Sequence, residues 1–285
     1  NLKYWFRGVE KYAPWVRKVH FITWGHLPEW LNTAHPKLNI VCHKEFIPEK
    51  YLPTFNSHTI EWNMHRIKGL SEQFVYFNDD LYLTAPVAKT DFFSQGLPVD
   101  MAVLSPIIPE KNGTANFQVN NMEIINSYFS RREILKNGRA LSLKYGKNLV
   151  RTLLQLPSKR VCGYFEPHLP LKFQKQTFET LWQKEPEIIT QTVASKFRAK
   201  TNVNLWLFRD WQLATGRFVP TNTDKLGKLY SLDGDNTQVF SNLESGKHKV
   251  MCLNDGFEVN DFVKQRELLL ASFAKRFPKK SSFER

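Results

Sequence analysis

Cysteine is scarce in this 285-residue sequence, and acidic residues are clearly fewer than basic ones. The three cysteines (Cys42, Cys162 and Cys252) are odd in number, lie far apart and lack CxxC spacing. They therefore predict neither a disulfide framework nor a zinc site, and a reducing compartment suits them best. No apolar run approaches the length that a membrane-crossing helix needs.

The motifs of several well-known enzyme classes are also absent. There is no P-loop, no kinase glycine-rich loop, no HExxH and no GxSxG, which excludes the mechanisms that depend on them. The 40 basic residues against 27 acidic ones give a formal net charge of +13. Such an excess favours a polyanionic partner, which could be nucleic acid, an acidic membrane face, or a phosphorylated or acidic substrate. Because no helix-turn-helix, zinc-finger or RNP pattern occurs, we do not predict a nucleic-acid partner.

Composition and the first hundred residues together predict a folded α/β protein. Hydrophobic residues make up 42% of the chain, and its 22 Phe, 9 Tyr and 8 Trp argue for a packed core. Apolar periodicity predicts a helix at residues 2–13, strands at 18–24, 38–42 and 74–78, and a helix within 53–67. Strands and helices alternating at these intervals are typical of βαβ units.

The pattern of apolar and polar residues changes after about residue 103. Helical patterns dominate the following stretch, at residues 121–136, 139–155, 171–183, 185–198 and 202–215. Short strands near 229–232 and 249–253 and a long basic helix at about 257–276 complete the chain. With no internal repeat and no low-complexity linker, we predict one domain over residues 1–285 with a largely helical insertion at about 120–215.

The run Phe-Val-Tyr-Phe that ends on Asn78, Asp79 and Asp80 is the most informative segment. Its continuous hydrophobicity predicts a parallel strand that is buried on both faces. Ligands of open α/β sheets bind beyond the carboxyl ends of the strands, which places the two carboxylates at a site. Because adjacent carboxylates repel each other, we expect them to bind a divalent metal ion together with a diphosphate ligand. The alternative is a turn in which an aspartate caps the next element.

A second apolar run ends in the same way, on Asn254, Asp255 and Gly256. If the two strands are neighbours, both Asn-Asp pairs face one crevice, and Asp255 becomes a third candidate metal ligand. The alternative is that Asn254 and Asp255 cap the helix that follows, and the two roles are compatible.

The remaining candidates are single residues. Asn56 lies in a polar loop, and Glu61 follows in the first turn of the next helix, where a carboxylate also favours the helix dipole. His168 lies between two prolines, and a rigidly held imidazole suits a general base, although such a histidine is structural about as often. Arg7 and Arg198 could clamp a diphosphate bidentately, while Arg198 could instead complement a helix end. The set fits phosphoryl or nucleotide-sugar chemistry.

Three blocks of the sequence resemble the Stealth family of bacterial capsular and exopolysaccharide phosphotransferases, which is related to the catalytic part of the lysosomal-enzyme GlcNAc-1-phosphotransferase. The second family block resembles residues 1–32, 52–58 and 74–81, the third resembles 165–170 with 195–204, and the fourth resembles 251–283. Together they cover nearly the whole chain. The resemblance implies a Rossmann-like nucleotide-sugar transferase sheet with a helical insertion and a C-terminal helix. It also implies a reaction in which sugar-1-phosphate passes from a UDP-sugar to an acceptor hydroxyl, giving a phosphodiester and UMP.

The resemblance assigns an active-site set to this chain. This set is Glu61, Asp79, Asp80, His168 and Arg198, with Asn254 and Asp255 as secondary candidates. Together with the candidates taken from the residues themselves, the predicted catalytic residues are Glu61, Asp80, His168 and Arg198; the predicted donor-phosphate ligands are Arg7, Asn56, Asn78, Arg198 and Asn254; and the predicted metal ligands are Asp79, Asp80 and Asp255. The expected cofactor is Mg²⁺ or Mn²⁺, and the expected acceptor is a polysaccharide or a lipid-linked glycan. The expected location is the cytoplasm, with peripheral contact at the inner face of the bacterial membrane.

The sequence departs from the family pattern at one point, and two other functions are compatible with it. The first family block, a strand followed by a WVDGxD-like sequence, is absent, so we expect a truncated piece that by itself is poorly stable or inactive. A metal-dependent UDP-sugar glycosyltransferase would use the same Asp-Asp turn but release UDP instead of UMP. A non-enzymatic basic protein that binds anionic polymer or membrane would use the net charge and the basic helix at 257–280.

Overall fold

The computed structural model describes residues 1–111, 113–256 and 261–285. Helices and strands alternate through the first hundred residues, and helices dominate the middle of the chain. The helices are α1 (Leu2–Tyr12), α2 (Ser57–Asn63), α3 (Ala115–Tyr128), α4 (Arg131–Asn137), α5 (Leu149–Gln155), α6 (Lys175–Lys184), α7 (Pro186–Ala194), α8 (Trp206–Ala214), α9 (Thr237–Ser245) and α10 (Phe262–Arg276). The strands are β1 (Val19–Thr23), β2 (Leu38–Cys42), β3 (Gln73–Tyr76), β4 (Leu81–Leu83), β5 (Phe93–Ser94), β6 (Leu97–Asp100), β7 (Leu171–Gln174), β8 (Val219–Pro220), β9 (Gly227–Leu232) and β10 (Val250–Asp255).

The α/β class predicted from the sequence is confirmed, and local patterns placed the first elements well. Helix α1 buries Tyr4, Phe6, Val9 and Tyr12 on one face, which is the amphipathic spacing that predicted it. Strands β1 and β2 pair in parallel, with Val19 opposite Leu38. Helix α2 begins after Asn56, whose side chain accepts a hydrogen bond from the His58 N–H.

The prediction that β3 is a buried parallel strand is wrong. Strand β3 pairs antiparallel with β7, with Tyr76 opposite Leu171, and its residues are half-buried or exposed. Its hydrophobic run has a different origin. Phe74 packs on Phe173, with ring centroids 5.7 Å apart, while Val75 faces a cleft on the other side of the strand. Both faces of β3 thus carry apolar residues, although the strand does not lie between two parallel strands.

Three of the predicted helices differ from the structure. The pattern at 121–136 covers parts of two helices, because α3 ends at Tyr128 and α4 begins at Arg131. The pattern at 139–155 is interrupted at Gly146, whose φ of 59° is left-handed, so only α5 is a regular α-helix there. The pattern at 171–183 begins with strand β7, and α6 starts only at Lys175. The predicted C-terminal helix begins at Phe262 in the described part of the chain, and residues 257–260 lie outside the described residues.

The C-terminal third forms a second layer of sheet. Strand β10 is central, antiparallel to β4 and parallel to β9, and α9 and α10 cover it together with α1. A small sheet of β5, β6 and β8 lies at the edge of the helical region. One apolar core fills this C-terminal layer, and another fills the helical region together with α2. None of the helices in the described ranges is long and apolar enough to cross a membrane.

Candidate functional site

The turn between β3 and β4 presents Asn78, Asp79 and Asp80. The Leu81 N–H closes this turn on the Asn78 carbonyl at 3.3 Å, and Asn78 and Asp79 are exposed. Asp80 is half-buried; its Oδ2 accepts a hydrogen bond from the Cys252 thiol at 3.2 Å, while its Oδ1 is buried without a partner among the described residues. A buried carboxylate oxygen without a partner is costly, and this favours a cation or a donor group beside it.

The second Asn-Asp pair lies next to the first one. The Leu253 N–H donates to the Asp80 carbonyl at 2.8 Å, so exposed Asn254 and Asp255 follow directly beside the turn. Burial and the negative charges of Asp79, Asp80 and Asp255 raise the pKa of Tyr82 well above its usual range. The two strand ends therefore face one side of the molecule, as their shared pattern predicted.

Gly256 is required at the end of β10 by a close approach of two backbones. A Cβ there would lie 1.9 Å from the Asp233 Oδ1 and 2.7 Å from the Leu232 carbonyl oxygen. The Gly256 N–H donates to that carbonyl at 3.1 Å. The glycine thus ties β10 to β9 where Asn254 and Asp255 are presented.

Glu61 lies on α2 inside the same region. It is buried, its Oε1 accepts a hydrogen bond from the Tyr76 hydroxyl at 3.4 Å, and its Oε2 has no partner in the described part of the chain. Burial raises the pKa of Glu61 to about 7, although the charge of Arg198 and the bond from Tyr76 partly oppose this. A carboxyl group with a pKa near neutrality can give or take a proton at physiological pH.

Arg198 reaches this region from the loop after α7. Its Nη2 donates to the Ser57 Oγ at 2.8 Å, which holds the exposed guanidinium over the start of α2. Arg198, Ser57, Glu61 and Asp79 line one cleft of about 1110 Å³. A cavity of that size is large enough for a nucleotide sugar.

Asn56 is buried and acts as the connector of two loops. Its amide nitrogen donates to the Ser195 carbonyl and to the Asn202 Oδ1, both at 3.1 Å. The Phe55 N–H donates to the Lys196 carbonyl beside it. Asn56 was predicted to bind the donor phosphate. In the structure its side-chain amide instead forms hydrogen bonds to the loop that carries Arg198, and so positions that loop.

The cleft has an apolar half as well. Leu2, Trp5 and Val9 of α1 cover it, and β1 and β3 form its two sides. In the described residues β1 pairs only with β2, and β3 pairs only with β7, so the facing edge of each strand has no strand partner. The cleft therefore joins a polar mouth to an apolar slot between two strand edges.

His168 lies at the same end of β3 as the Asp-Asp turn. The pairing of Tyr76 with Leu171 brings the segment before β7 beside the residues after β3. His168 is exposed and has a φ of 49°, and its ring lies 5.9 Å from the ring of Trp206 at the start of α8. Its Nδ1 is 3.4 Å from the Glu166 carbonyl oxygen, so Nε2 is open to solvent or substrate.

Arg7 is placed apart from the other candidates. Its guanidinium forms a bidentate pair with Glu284, at 2.7 and 2.6 Å, and also donates to the Phe277 carbonyl. These bonds anchor the C-terminal segment on α1. The predicted donor-phosphate role of Arg7 has no support in this geometry.

The comparisons with known proteins point to one family. The model of Stealth protein CR2, conserved region 2, matches residues 1–99, from α1 past the Asp-Asp turn. A capsular polysaccharide phosphotransferase WcwK of Streptococcus pneumoniae is 49% identical over 286 residues, covering 100% of this chain and 86% of the relative. The receptor polysaccharide phosphotransferase WefC of Streptococcus oralis is 50% identical, with the same coverage. The exopolysaccharide phosphotransferase cps2G of Lactiplantibacillus plantarum is 38% identical, over 99% of this chain and 84% of the relative.

The chain belongs to the Stealth family. It is accordingly an enzyme, a phosphotransferase.

The Stealth site offers carboxylates for a divalent cation, but the protein alone does not form a complete metal cage. Within the described ranges no group of three or more His, Cys, Asp or Glu side chains is arranged to hold a metal ion. The unpartnered Oδ1 of Asp80 and the exposed carboxylates of Asp79 and Asp255 still fit Mg²⁺, which typically takes one or two protein carboxylates and completes its shell with water and substrate phosphates. These residues thus fit a metal that arrives with the donor.

Two residues of the site were missed from the sequence. Tyr76 donates to Glu61, and Ser57 accepts from Arg198. Tyr76 stands two residues before Asn78 on its strand, and this period-2 spacing is a usable signal. Ser57 gave no such signal, because its partner lies 141 residues away in sequence.

We expect Glu61→Gln to remove part of the pH dependence of stability. In the folded protein the pKa of Glu61 is raised from 4.5 to about 7, so the unfolded chain ionises first as pH rises. Stability is then lost between pH about 4.5 and 7, by about 3 kcal/mol at most for this group, and the penalty is constant above pH 7. Urea unfolding between pH 5 and pH 8 should show a smaller decline for the variant.

Glu166 supplies the matched comparison for this experiment. Burial also raises its pKa to about 7, and its Oε2 accepts a hydrogen bond from Gln118 at 2.7 Å. Glu166→Gln should remove a second, separate part of the decline. A Glu61→Gln variant that kept the full pH dependence of the parent would show that Glu61 is already ionised in the fold.

Proposed function

We propose that this Stealth enzyme transfers a sugar-1-phosphate from a UDP-sugar to a sugar hydroxyl of a growing capsular or extracellular polysaccharide. The names of its relatives, which are capsular, receptor and exopolysaccharide phosphotransferases, support the reaction class and the polysaccharide acceptor. The observation that carries the proposal is the cleft that Asp79, Glu61 and Arg198 share. Carboxylates for a cation and a guanidinium for an anion in one cavity suit a diphosphate that binds with its metal.

The proposed reaction balances as a phosphoryl substitution. The acceptor oxygen bonds to the phosphorus that carries the sugar, and the bond from that phosphorus to the oxygen bridging to UMP breaks. UMP leaves with the bridging oxygen, and the acceptor proton passes to a base. A bound Mg²⁺ or Mn²⁺ would neutralise charge on the diphosphate, and one or two of the carboxylates of Asp79, Asp80 and Asp255 would hold it.

Side chains of this chain bind the donor and transfer the proton. Arg198, held by Ser57, binds the diphosphate, and the side chains of Asn78 and Asn254, both exposed, donate to its oxygens. His168 presents an open imidazole nitrogen and takes the acceptor proton. Glu61, which lines the cleft and has a pKa of about 7, can also exchange a proton.

The leaving group separates this proposal from a UDP-sugar glycosyltransferase, because both would use the same carboxylates. With Mg²⁺, a UDP-sugar and a polysaccharide acceptor, ³¹P NMR should show UMP and a new phosphodiester resonance. His168→Ala should slow both by about 10²- to 10⁴-fold, the usual contribution of a general base. His35→Ala, at the amino end of β2, is the control and should keep the parent rate. Release of UDP would contradict the proposal and indicate a glycosyltransferase.

We further propose that the enzyme works in the cytoplasm at the inner face of the bacterial membrane. The support is chemical: nucleotide sugars are water-soluble donors, while a growing polysaccharide carried on a lipid is held at the membrane. A surface of the helical region gives this location a structural basis.

A further inference from the structure

The segment 141–154 exposes an unusual concentration of apolar side chains. Leu143 is 86% exposed and Leu154 72%, and Leu141, Val150 and Leu153 are also exposed. On α5, Val150, Leu153 and Leu154 have the i, i+3, i+4 spacing of one helix face, while Thr152 points inward and accepts the Leu104 N–H at 3.0 Å. We name the surface of these five side chains the 141–154 ridge. A single exposed leucine is normal on a protein surface, but a cluster of exposed apolar side chains indicates a contact site.

Basic residues are frequent in the sequence on both sides of the ridge and within it. Residues 131–160 contain nine Lys and Arg (Arg131, Arg132, Lys136, Arg139, Lys144, Lys147, Arg151, Lys159 and Arg160) and one acidic residue, Glu133. Among the residues that the structure describes, none of the nine forms an ion pair with a carboxylate. Lys144, Lys147 and Arg151 are exposed within the ridge itself. Apolar side chains flanked by unpaired positive charge are typical of segments that lie in a lipid interface.

The ridge adjoins the candidate site. The Arg151 guanidinium lies over the ring of Phe165, 4.9 Å from its centroid. Phe165 is hydrogen-bonded through its N–H to the Val103 carbonyl and begins the segment that leads to His168. A surface that contacts the ridge therefore lies beside the segment that carries the proposed base.

We propose that the 141–154 ridge is a membrane-contact surface that takes an anionic lipid bilayer. A second copy of the chain is a poorer occupant, because a symmetric contact would place the basic residues of both copies together. A free glycan is poorer as well, because the ridge offers leucine and valine instead of aromatic faces. On a bilayer the leucines enter the interface, and each basic residue near anionic headgroups strengthens binding about fivefold. The inference rests on the proposed function in one respect: the membrane contact would bring the enzyme to a lipid-linked acceptor.

Vesicle flotation with the full chain tests the surface without any substrate. Vesicles of phosphatidylglycerol with phosphatidylcholine should bind about tenfold or more tightly than phosphatidylcholine alone, with weaker binding at high salt. The double variant Leu143→Glu with Leu154→Glu should lose this binding by about tenfold or more. The matched control is Val263→Glu with Leu268→Glu, which changes exposed apolar residues on the basic helix α10 and should leave binding unchanged.

Three results would overturn the inference. They are equal binding to both vesicle types, loss of binding in the α10 variant with retention in the ridge variant, and self-association of the parent that the ridge variant abolishes without any vesicle binding. Circular dichroism of both variants establishes that they are folded. Because the measurement needs no substrate, its failure would leave the proposed phosphotransfer in place, and failure of the ³¹P experiment would leave the ridge in place.

Discussion

Replacing Asp80 with asparagine is expected to lower kcat/KM by about 10³-fold, the size of effect seen when a group that stabilises charge in a transition state is lost. Asp80 carries the unpartnered Oδ1 at the turn, and Asp79 and Asp255 lie on the same side of the molecule. The amide keeps the shape of the side chain and removes its charge, so donor and metal lose a ligand together. Steady-state rates with Mg²⁺ measure the first effect, and Mn²⁺ titration in the presence of donor measures the second.

Asp91→Asn is the control for the change at Asp80. Asp91 pairs with Lys249, at 2.7 Å, near the amino end of β10, which places it about 20 Å along that strand from Asp255. The control should keep its activity and its Mn²⁺ affinity. If Asp80→Asn kept activity within a few-fold of the parent at saturating metal, the turn would be structural and the metal ligands would have to be sought elsewhere.

Arg209→Met is expected to destabilise the protein by about 3–5 kcal/mol, because it leaves Asp100 buried without its main partner. Arg209 and Asp100 are almost fully buried, and the guanidinium donates to both carboxylate oxygens, at 3.1 and 2.9 Å. The same guanidinium donates to the Met101 carbonyl at 3.0 Å. Lys172 lies 3.7 Å from Asp100 and replaces only part of these interactions.

Urea unfolding of the Arg209 variant measures this loss, and Arg217→Met is the control. Arg217 donates to Gln176 at 3.0 Å in an exposed bond, so its replacement should change the free energy of unfolding by about 0.5 kcal/mol or less. An Arg209→Met protein within about 1 kcal/mol of the parent would mean that Lys172 and solvent compensate the buried carboxylate. The link between β6 and α8 would then be unimportant for stability.

Local patterns in the sequence predicted the elements that local forces determine. Helix α1, with its apolar face, and strands β1, β2 and β10 follow from the spacing of apolar residues and from the breakers beside them. Gly146 was present as a signal inside the pattern at 139–155, and the helix does break there. The residues that open the pattern at 171–183 form β7 because they pair with β3, about 100 residues earlier, and no local signal encodes that pairing.

The candidate site was accessible from the sequence only in part. The two Asn-Asp strand ends share a pattern, and their proximity follows from the pairing of β10 with β4. Glu61 and Arg198 were separate candidates, and only the family resemblance put them in one site, because nothing local connects residues 137 positions apart in the sequence. In the structure the connector is buried Asn56, whose amide joins the two loops. Its commitment to this network was invisible in the sequence, where a polar loop residue looked available to a ligand.

The free edges of β1 and β3 have a consequence for how this chain behaves in isolation. In the described residues, each edge presents backbone N–H and C=O groups without a ladder partner, on the two sides of an apolar slot. An exposed strand edge is a template for any extended segment, and nature normally covers or blunts it. Chains left with these edges open will recruit β-structure from one another, so aggregation by strand addition, with growth at the slot, is the failure expected at high concentration.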